Sequence, residues 1–296
     1  MKTCVIFNPS AKGNKARHFR HELEQIGTQC ALKPTTAAGE AQRLAAAAVS
    51  EGFDNIVAAG GDGTVNEVLN GIGAVPGGFD RSRLGVLPLG TVNVFARELG
   101  IPLTIEEAWN VVRQARERRI DLPCIEFAGP DGRQKRYFAQ LAGAGLDARA
   151  IELVSWPLKK RIGPLAYVWA GFKALLDAPP RITAAGDGRS ETGELALVGN
   201  GRLYGGTFRI FPRADPSDGL LDVCVFPRAR LLTVIRCGVP LVLFGRLPVR
   251  TYRAFQASSF TLTSATPTAL EADGELIGHL PATFSLRPTG LRVLAP

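Results

Sequence analysis

The chain has 296 residues, 46% of them hydrophobic, and a formal net charge of +8. That length suits two domains, each able to bury a core, and no run of about 18 apolar residues escapes charges and prolines, which excludes a transmembrane helix. The positive charge favours polyanionic partners such as nucleotides or an anionic lipid surface, and the scarcity of aromatics among the basic residues argues against nucleic acid.

In chain order, Cys4 to Phe7 reads as a strand and is too short for a secretory signal core. Residues 15–26 read as a helix with Phe19, Leu23 and Ile26 on one face. A strand over 29–33 follows, then an Ala-rich helix over 39–50 closed by Gly52. Residues 56–59 are small or β-branched, as in a strand buried on both faces, and apolar residues from Val65 recur at helical spacing. A strand over 84–87, a helix over 92–99 and a capping box from Thr104 to Glu107 complete the pattern. Such alternation predicts a mostly parallel sheet with helices on both faces and ligands at the carboxyl ends of its strands.

From about Ile120 the segments 124–128, 136–141, 194–198, 207–211, 220–226, 250–255, 259–263 and 268–271 are short, and Gly, Pro, Asp or Ser separates them. They predict an antiparallel β domain. It is interrupted by a helical stretch over about 148–176, broken by Pro157 and Pro164, and by a helix near 231–237. The expected organisation is an α/β nucleotide-binding domain over 1–121 and a β-rich domain over 122–283, with a cleft between them. The final segment, about 284–296, is open to returning to the first domain.

The five cysteines, Cys4, Cys30, Cys124, Cys224 and Cys237, are scattered and form no C-x-x-C or Cys/His cluster. They read as reduced core residues of a cytoplasmic protein. Of three histidines, His18 and His21 stand at helical spacing without a further ligand, which disfavours a zinc site. Basic clusters occur at Arg116, Arg118 and Arg119, at Lys159 to Arg161, and at Arg246, Arg250 and Arg253. The second, beside Trp156, suits either a membrane interface or a solvated helix end.

The stretch Gly60-Gly61-Asp62-Gly63-Thr64-Val65-Asn66-Glu67 falls at a strand-to-helix turn and carries the most chemistry. Its glycines let backbone N–H groups approach an anion, and the helix N-terminus adds partial positive charge. A carboxylate at Asp62 beside phosphates calls for an intervening cation, which points to Mg2+. The alternative is a tight glycine turn with Asp62 as a cap. The chain has no G-x-x-x-x-G-K-[ST] P-loop, no full dinucleotide fingerprint and no G-x-S-x-G.

Other elements accompany that stretch: Asn8-Pro9-Ser10-Ala11-Lys12-Gly13, Thr35 with Gly39 and Ala41, Pro88-Leu89-Gly90-Thr91-Val92-Asn93, Asp121-Leu122, Gly143 to Ala148, Tyr204-Gly205-Gly206, Asp218 to Asp222, and Asp273-Gly274-Glu275. In this order they run from end to end, and the chain resembles the soluble bacterial diacylglycerol kinase-like lipid kinases, whose catalytic domain is shared with eukaryotic diacylglycerol, sphingosine and ceramide kinases. The resemblance implies a parallel-sheet domain like that of NAD kinases and 6-phosphofructokinases, joined to a β-rich, sandwich-like domain.

It further implies that Asn8, Lys12, Thr35, Gly60, Gly61, Asp62, Gly63, Thr64, Val65, Asn66 and Thr91 hold ATP. Glu275 matches the family's general base, with Asp62 and Asp121 completing the catalytic set. Asp215, Asp218 and the backbone of Leu220 match a structural Mg2+ site. The implied reaction is transfer of the ATP γ-phosphate to a hydroxyl of diacylglycerol or a related lipid, by a cytoplasmic enzyme associated peripherally with the inner membrane surface. A homodimer is left open. Many family members carry Asp after the Asn of the Gly-Thr-x-Asn element, where this chain has Val94. Two rivals remain: an NAD-kinase-like small-molecule kinase, sharing G-G-D-G-T, and a nucleotide- or lipid-binding regulator without efficient turnover, motivated by Val94.

Overall fold

The computed structural model describes residues 1–9, 14–130, 132–153, 171, 173–248 and 250–296. The chain divides into two units, one formed by Met1–Leu122, Gly205–Thr207 and Arg287–Pro296, the other by Pro123–Tyr204 and Phe208–Leu286.

The first unit alternates strands and helices: β1 (Thr3–Phe7), α1 (Asn14–Gly27), β2 (Ala31–Pro34), α2 (Glu40–Ser50), β3 (Asn55–Gly60), α3 (Asp62–Gly73), α4 (Gly78–Arg81), β4 (Arg83–Pro88), α5 (Val94–Glu98) and α6 (Ile105–Gln114). Its strands are parallel in the order β2-β1-β3-β4. β3 and β4 are buried along their whole length, as central strands of such a sheet must be. α2 and α3 approach backbone to backbone: a Cβ on Gly71 would strike the Gln42 carbonyl oxygen and lie 2.6 Å from Ala45 Cβ.

Two expected elements shift for local reasons. The strand expected over 29–33 starts at Ala31, because Gln29 N–H, the Thr28 hydroxyl and the Cys30 thiol all donate to carbonyls at the end of α1. The helix expected over 92–99 starts at Val94, because Asn93 sits at φ 54° and closes the preceding loop. The Thr104 hydroxyl bonds the Glu107 carboxylate rather than a backbone N–H, so the expected capping box gives way to a side-chain pair.

Two strands, β5 (Glu117–Gly129) and β18 (Ala282–Leu294), carry residues of both units. The second unit further contains β6 (Gly132–Tyr137), β7 (Leu141–Gly145), α7 (Leu146–Leu153), β8 (Ile182–Gly186), β9 (Arg189–Gly193), β10 (Leu195–Gly199), β11 (Leu203–Tyr204), β12 (Phe208–Arg209) and β13 (Leu221–Phe226). After these come α8 (Leu231–Phe244), β14 (Arg253–Ala257), β15 (Ser259–Ser264), β16 (Ala269–Ala272) and β17 (Glu275–His279). An antiparallel sheet runs in the order β14-β13-β10-β7-β16-β17.

Its inner face, with Val198, Val223, Val225 and Leu270, shares one core with Ile125, Phe127, Ile182, Leu262 and Phe284 from the facing strands. Phe260 stacks on Phe284 with ring centroids 4.8 Å apart, and Phe138 meets Phe284 edge-on. Each large side chain buried here contributes roughly 1.5–3 kcal/mol. The β-rich, sandwich-like fold expected for this half is therefore present.

The strand expected over 136–141 is two strands, because the amides of Ala139, Gln140 and Leu141 turn away to a side chain described below. The strand expected over 207–211 shrinks to Phe208–Arg209, and the helix near 231–237 extends to Phe244. Of the helical stretch expected over 148–176, α7 covers the start. Most of the remainder, including Lys159 to Arg161, lies outside the described residues. The β8–β9 hairpin, β17 and β18 were not expected from the sequence.

All five cysteines are free, and burial pushes the thiols of Cys4, Cys30 and Cys124 up to about 11 and that of Cys224 to about 12. Among the described residues no helix is long and apolar enough to cross a membrane.

Candidate nucleotide site and candidate base

The glycine stretch sits where β3 ends at Gly60 and α3 begins at Asp62, with Gly61 alone between them. The first-turn N–H groups of a helix have no intrahelical acceptor, and Gly61 supplies no side-chain cap. The Thr64 side chain folds back against Gly60, where a Cβ would collide with its hydroxyl. The β4–α5 loop lies alongside: Leu89 N–H donates to the Gly60 carbonyl at 2.9 Å, and a Cβ on Gly90 would come within 2.5 Å of Gly61 Cα. Two glycine loops at the carboxyl ends of adjacent parallel strands thus touch through bare backbone, the position at which such sheets bind ligands.

Asn93 stiffens the second loop. Its side-chain oxygen accepts from Gly90 N–H at 2.9 Å and its amide donates to the Gly90 carbonyl at 2.8 Å, leaving Thr91 exposed at the tip. The two acids of the stretch cap neighbouring helices. Asp62 accepts from Val94 N–H at 3.1 Å and Phe95 N–H at 3.2 Å at the start of α5. Glu67 accepts from Gly39 N–H and Ala41 N–H, both at 2.9 Å, at the start of α2. Neither α5 nor α2 has a side-chain cap of its own.

The structure therefore brings Gly60, Gly61, Asp62, Gly63, Thr64 and Thr91 together. Thr35 is buried beside β1, its N–H donating to the Phe7 carbonyl, and Asn8 is exposed just after β1. Val65 and Asn66 are buried on α3, and the Asn66 side-chain oxygen accepts from the Asn70 amide. Lys12 lies outside the described residues. Asp121 is fully buried in β5 and accepts from Thr289 N–H at 2.7 Å.

In the second unit, Asp273 and Gly274 both have positive φ, 47° and 83°, and make a two-residue turn between Ala272 and Glu275. That is the Asp-Gly type I′ hairpin. The Asp273 carboxylate accepts from Ala139, Gln140 and Leu141 N–H at 2.7, 2.9 and 3.1 Å, so the turn is tied to the segment before β7. Glu275 follows directly, partly exposed, with Arg136 at 3.2 Å from one carboxylate oxygen.

Beneath this turn Glu271 is fully buried and accepts from Gly274 N–H at 2.9 Å. Burial, reinforced by the nearby Asp147, pushes its carboxyl well above the usual range, and burial also raises Asp147. The Tyr204 hydroxyl donates to Asp147 at 2.7 Å, and burial pushes it well above its ordinary value.

For Mg2+ the donor chemistry fits. Each Asp62 oxygen accepts one hydrogen bond from α5 and retains acceptor capacity for a hard cation. Among the described residues no group of three or more His, Cys, Asp or Glu converges to cage a metal. On the loop before β13, Asp215 accepts from Ser217 and Asp218 from Leu220 N–H at 2.9 Å; both acids are exposed and oxygen-only, which fits a hard cation in a mostly water shell.

The diacylglycerol kinase catalytic domain model matches residues 2–125, and the YegS C-terminal NAD kinase beta sandwich-like domain model matches residues 140–295. A diacylglycerol kinase of Bacillus subtilis (strain 168) is 32% identical over 288 residues, spanning 95% of this chain and 91% of that protein. This chain belongs to the diacylglycerol kinase family. A diacylglycerol kinase of Staphylococcus aureus (strain MRSA252) is 31% identical over 311 residues, spanning 99% of this chain and 91% of its own. The fold of this family member also matches the crystal structure of a diacylglycerol kinase from Bacillus anthracis str. Sterne, with TM-score 0.77, 22% identity, and coverage of 100% of this chain and 97% of that one.

Within the family motifs, Glu67, Asn93 and Asp273 carry placing roles that sequence reasoning did not assign. Each stood in a quoted motif, but the N–H groups they hold, apart from those of the Gly90–Asn93 loop, lie far away in the chain.

Proposed function

We propose that this lipid kinase family member transfers the γ-phosphate of ATP to a hydroxyl of diacylglycerol or a closely related lipid. The observation that carries the proposal is the pair of glycine loops at the ends of β3 and β4, touching through Gly61 and Gly90 beside the uncapped start of α3. Backbone N–H groups and the Thr64 and Thr91 hydroxyls suit phosphate oxygens, and the helix N-terminus favours their charge.

Bound Mg2+ would neutralise charge building on the phosphates, and Asp62 is the residue to hold it. Glu275, fixed by the Asp273-Gly274 turn, accepts the proton of the attacking hydroxyl. Asp121, fully buried, enters as a positioning residue through Thr289. Asp215, Asp218 and the Leu220 carbonyl are proposed to hold a second, structural Mg2+. The free cysteines and the family's lipid acceptors support a cytoplasmic enzyme acting at the inner membrane surface.

Labelled ATP offered with diacylglycerol, monoacylglycerol, phosphatidylglycerol, sphingosine, ceramide and NAD in mixed micelles tests the proposal. Transfer to a glycerolipid is expected. Transfer to NAD alone would replace the lipid acceptor, and transfer to none would favour a regulator.

A further inference from the structure

Helix α8 is apolar through most of its length, yet only one side of it is packed. Cys237 and Leu241 lie against a core cluster that includes Leu197, Phe211, Cys224 and Phe226. The opposite face presents Leu232, Ile235, Val239 and Leu243, spaced three, four and four residues apart, so they form one stripe. These side chains are 68%, 51%, 52% and 67% exposed, and Phe244 at the helix end is 68% exposed. The outer face of a surface helix is ordinarily polar, and a contiguous apolar stripe on a folded protein marks an interaction surface.

The charge around the stripe identifies what covers it. Arg236 stands within it, Arg228 and Arg230 precede it, and Arg246 and Arg250 follow it, all exposed. Glu194 pairs with Arg230 at 3.3 Å; among the described residues no salt bridge reaches the other four. From Val223 to Leu270 the chain contains no Asp or Glu at all. A second copy docking through this face would set these cations against themselves, which opposes self-association. An apolar stripe rimmed by cations with no acids matches a bilayer that carries anionic headgroups, where side chains such as Leu enter the acyl boundary and arginines meet phosphates.

We propose that α8 is the face by which this protein docks on an anionic lipid bilayer. The proposal rests on the acceptor being a lipid, and it places a second point of contact on the membrane, separate from the residues that carry out transfer.

The test uses the full chain sedimented with vesicles of phosphatidylcholine alone or mixed with phosphatidylglycerol, without ATP. Leu232→Glu combined with Leu243→Glu alters exposed positions, and thermal melts check that the fold survives. The wild type is expected to partition onto mixed vesicles more strongly than onto neutral ones. The double variant is expected to lose that partitioning about a hundred-fold. Arg236→Glu should weaken only the response to phosphatidylglycerol. Phosphate transfer to a water-soluble short-chain acceptor should match wild type in both variants.

The proposal is overturned if the folded double variant binds vesicles like wild type, or if the wild type binds neither vesicle. It is equally overturned if the substitutions dissociate a dimer while leaving vesicle binding intact. Because vesicle binding is read without phosphate transfer, a failure of the lipid-kinase reading would appear separately, as no labelled lipid from any form.

Discussion

Asp62 and Val94 are joined across 32 residues: the Asp62 carboxylate accepts from the Val94 N–H at 3.1 Å and, through its other oxygen, from Phe95 N–H at 3.2 Å. The acid at the centre of the glycine stretch is thus the N-terminal cap of α5, which has none of its own. Asp62→Ala should lower unfolding free energy by about 1–2 kcal/mol as well as abolish turnover. Asp62→Asn should recover much of the stability and none of the turnover. Urea unfolding beside phosphate transfer separates the two effects, and an Ala variant as stable as wild type would remove the capping role.

Val94 is itself buried, at the first position of α5 and next to Asp62. An aspartate there would set two carboxylates side by side, which is unfavourable without a cation between them. Val94→Asp should therefore melt at a lower temperature in chelator, and Mg2+ should raise its melting temperature more than it raises that of the wild type. Equal Mg2+ shifts in both proteins would show that position 94 does not face the metal.

Asp273 holds three consecutive backbone N–H groups, and truncating it orphans them. Asp273→Ala should cost about 2–4 kcal/mol of stability and displace Glu275 with the turn. Hydrogen exchange at Ala139, Gln140 and Leu141 should accelerate together. Unchanged protection of those three amides would contradict the assignment.

How much of this was legible depended on distance along the chain. The glycine stretch could be read because its chemistry is local: a strand of small apolar residues, glycines at the turn and apolar spacing after it. The Asp-Gly pair at 273–274 is likewise a local turn signal, although β17, the strand it leads into, was not expected. An identical Asp187-Gly188 turn, with φ of 49° and 72°, went unread between β8 and β9, because Ile182–Gly186 and Arg189–Gly193 lack strong alternation. β18 was hidden by Pro288, Gly290 and the positive φ of Thr289, which break the periodicity of a 13-residue strand. The partners of Asp62, Glu67, Asp121 and Asp273 are backbone amides 32, 28, 168 and 134 residues away, and backbone amides leave no mark in a sequence.

Glu271 gives a pH signature. Its carboxyl is raised above the ordinary value of 4.5 by burial and by Asp147, so the folded state retains a proton that the unfolded chain releases. Stability should consequently fall as pH rises above about 4.5 and continue to fall until the folded group ionises, with a limiting slope of about 1.4 kcal/mol per pH unit for one proton. Glu271→Gln keeps an oxygen for Gly274 N–H and cannot ionise, so it should remove that component and stabilise the protein at neutral and alkaline pH. Chemical unfolding over a pH series measures this. Parallel pH profiles for variant and wild type would contradict the assignment.

The central claim is that Glu275 accepts the proton as a lipid hydroxyl takes the γ-phosphate of ATP. Its most direct test is single-turnover transfer of labelled phosphate to diacylglycerol in mixed micelles, comparing the wild type with Glu275→Gln after both are shown to be folded and to bind ATP equally. The wild type should label the lipid, and the variant should be slower by about 100- to 10,000-fold, the contribution of a positioned base. A folded, ATP-binding Glu275→Gln variant that labels diacylglycerol at the wild-type rate would contradict it.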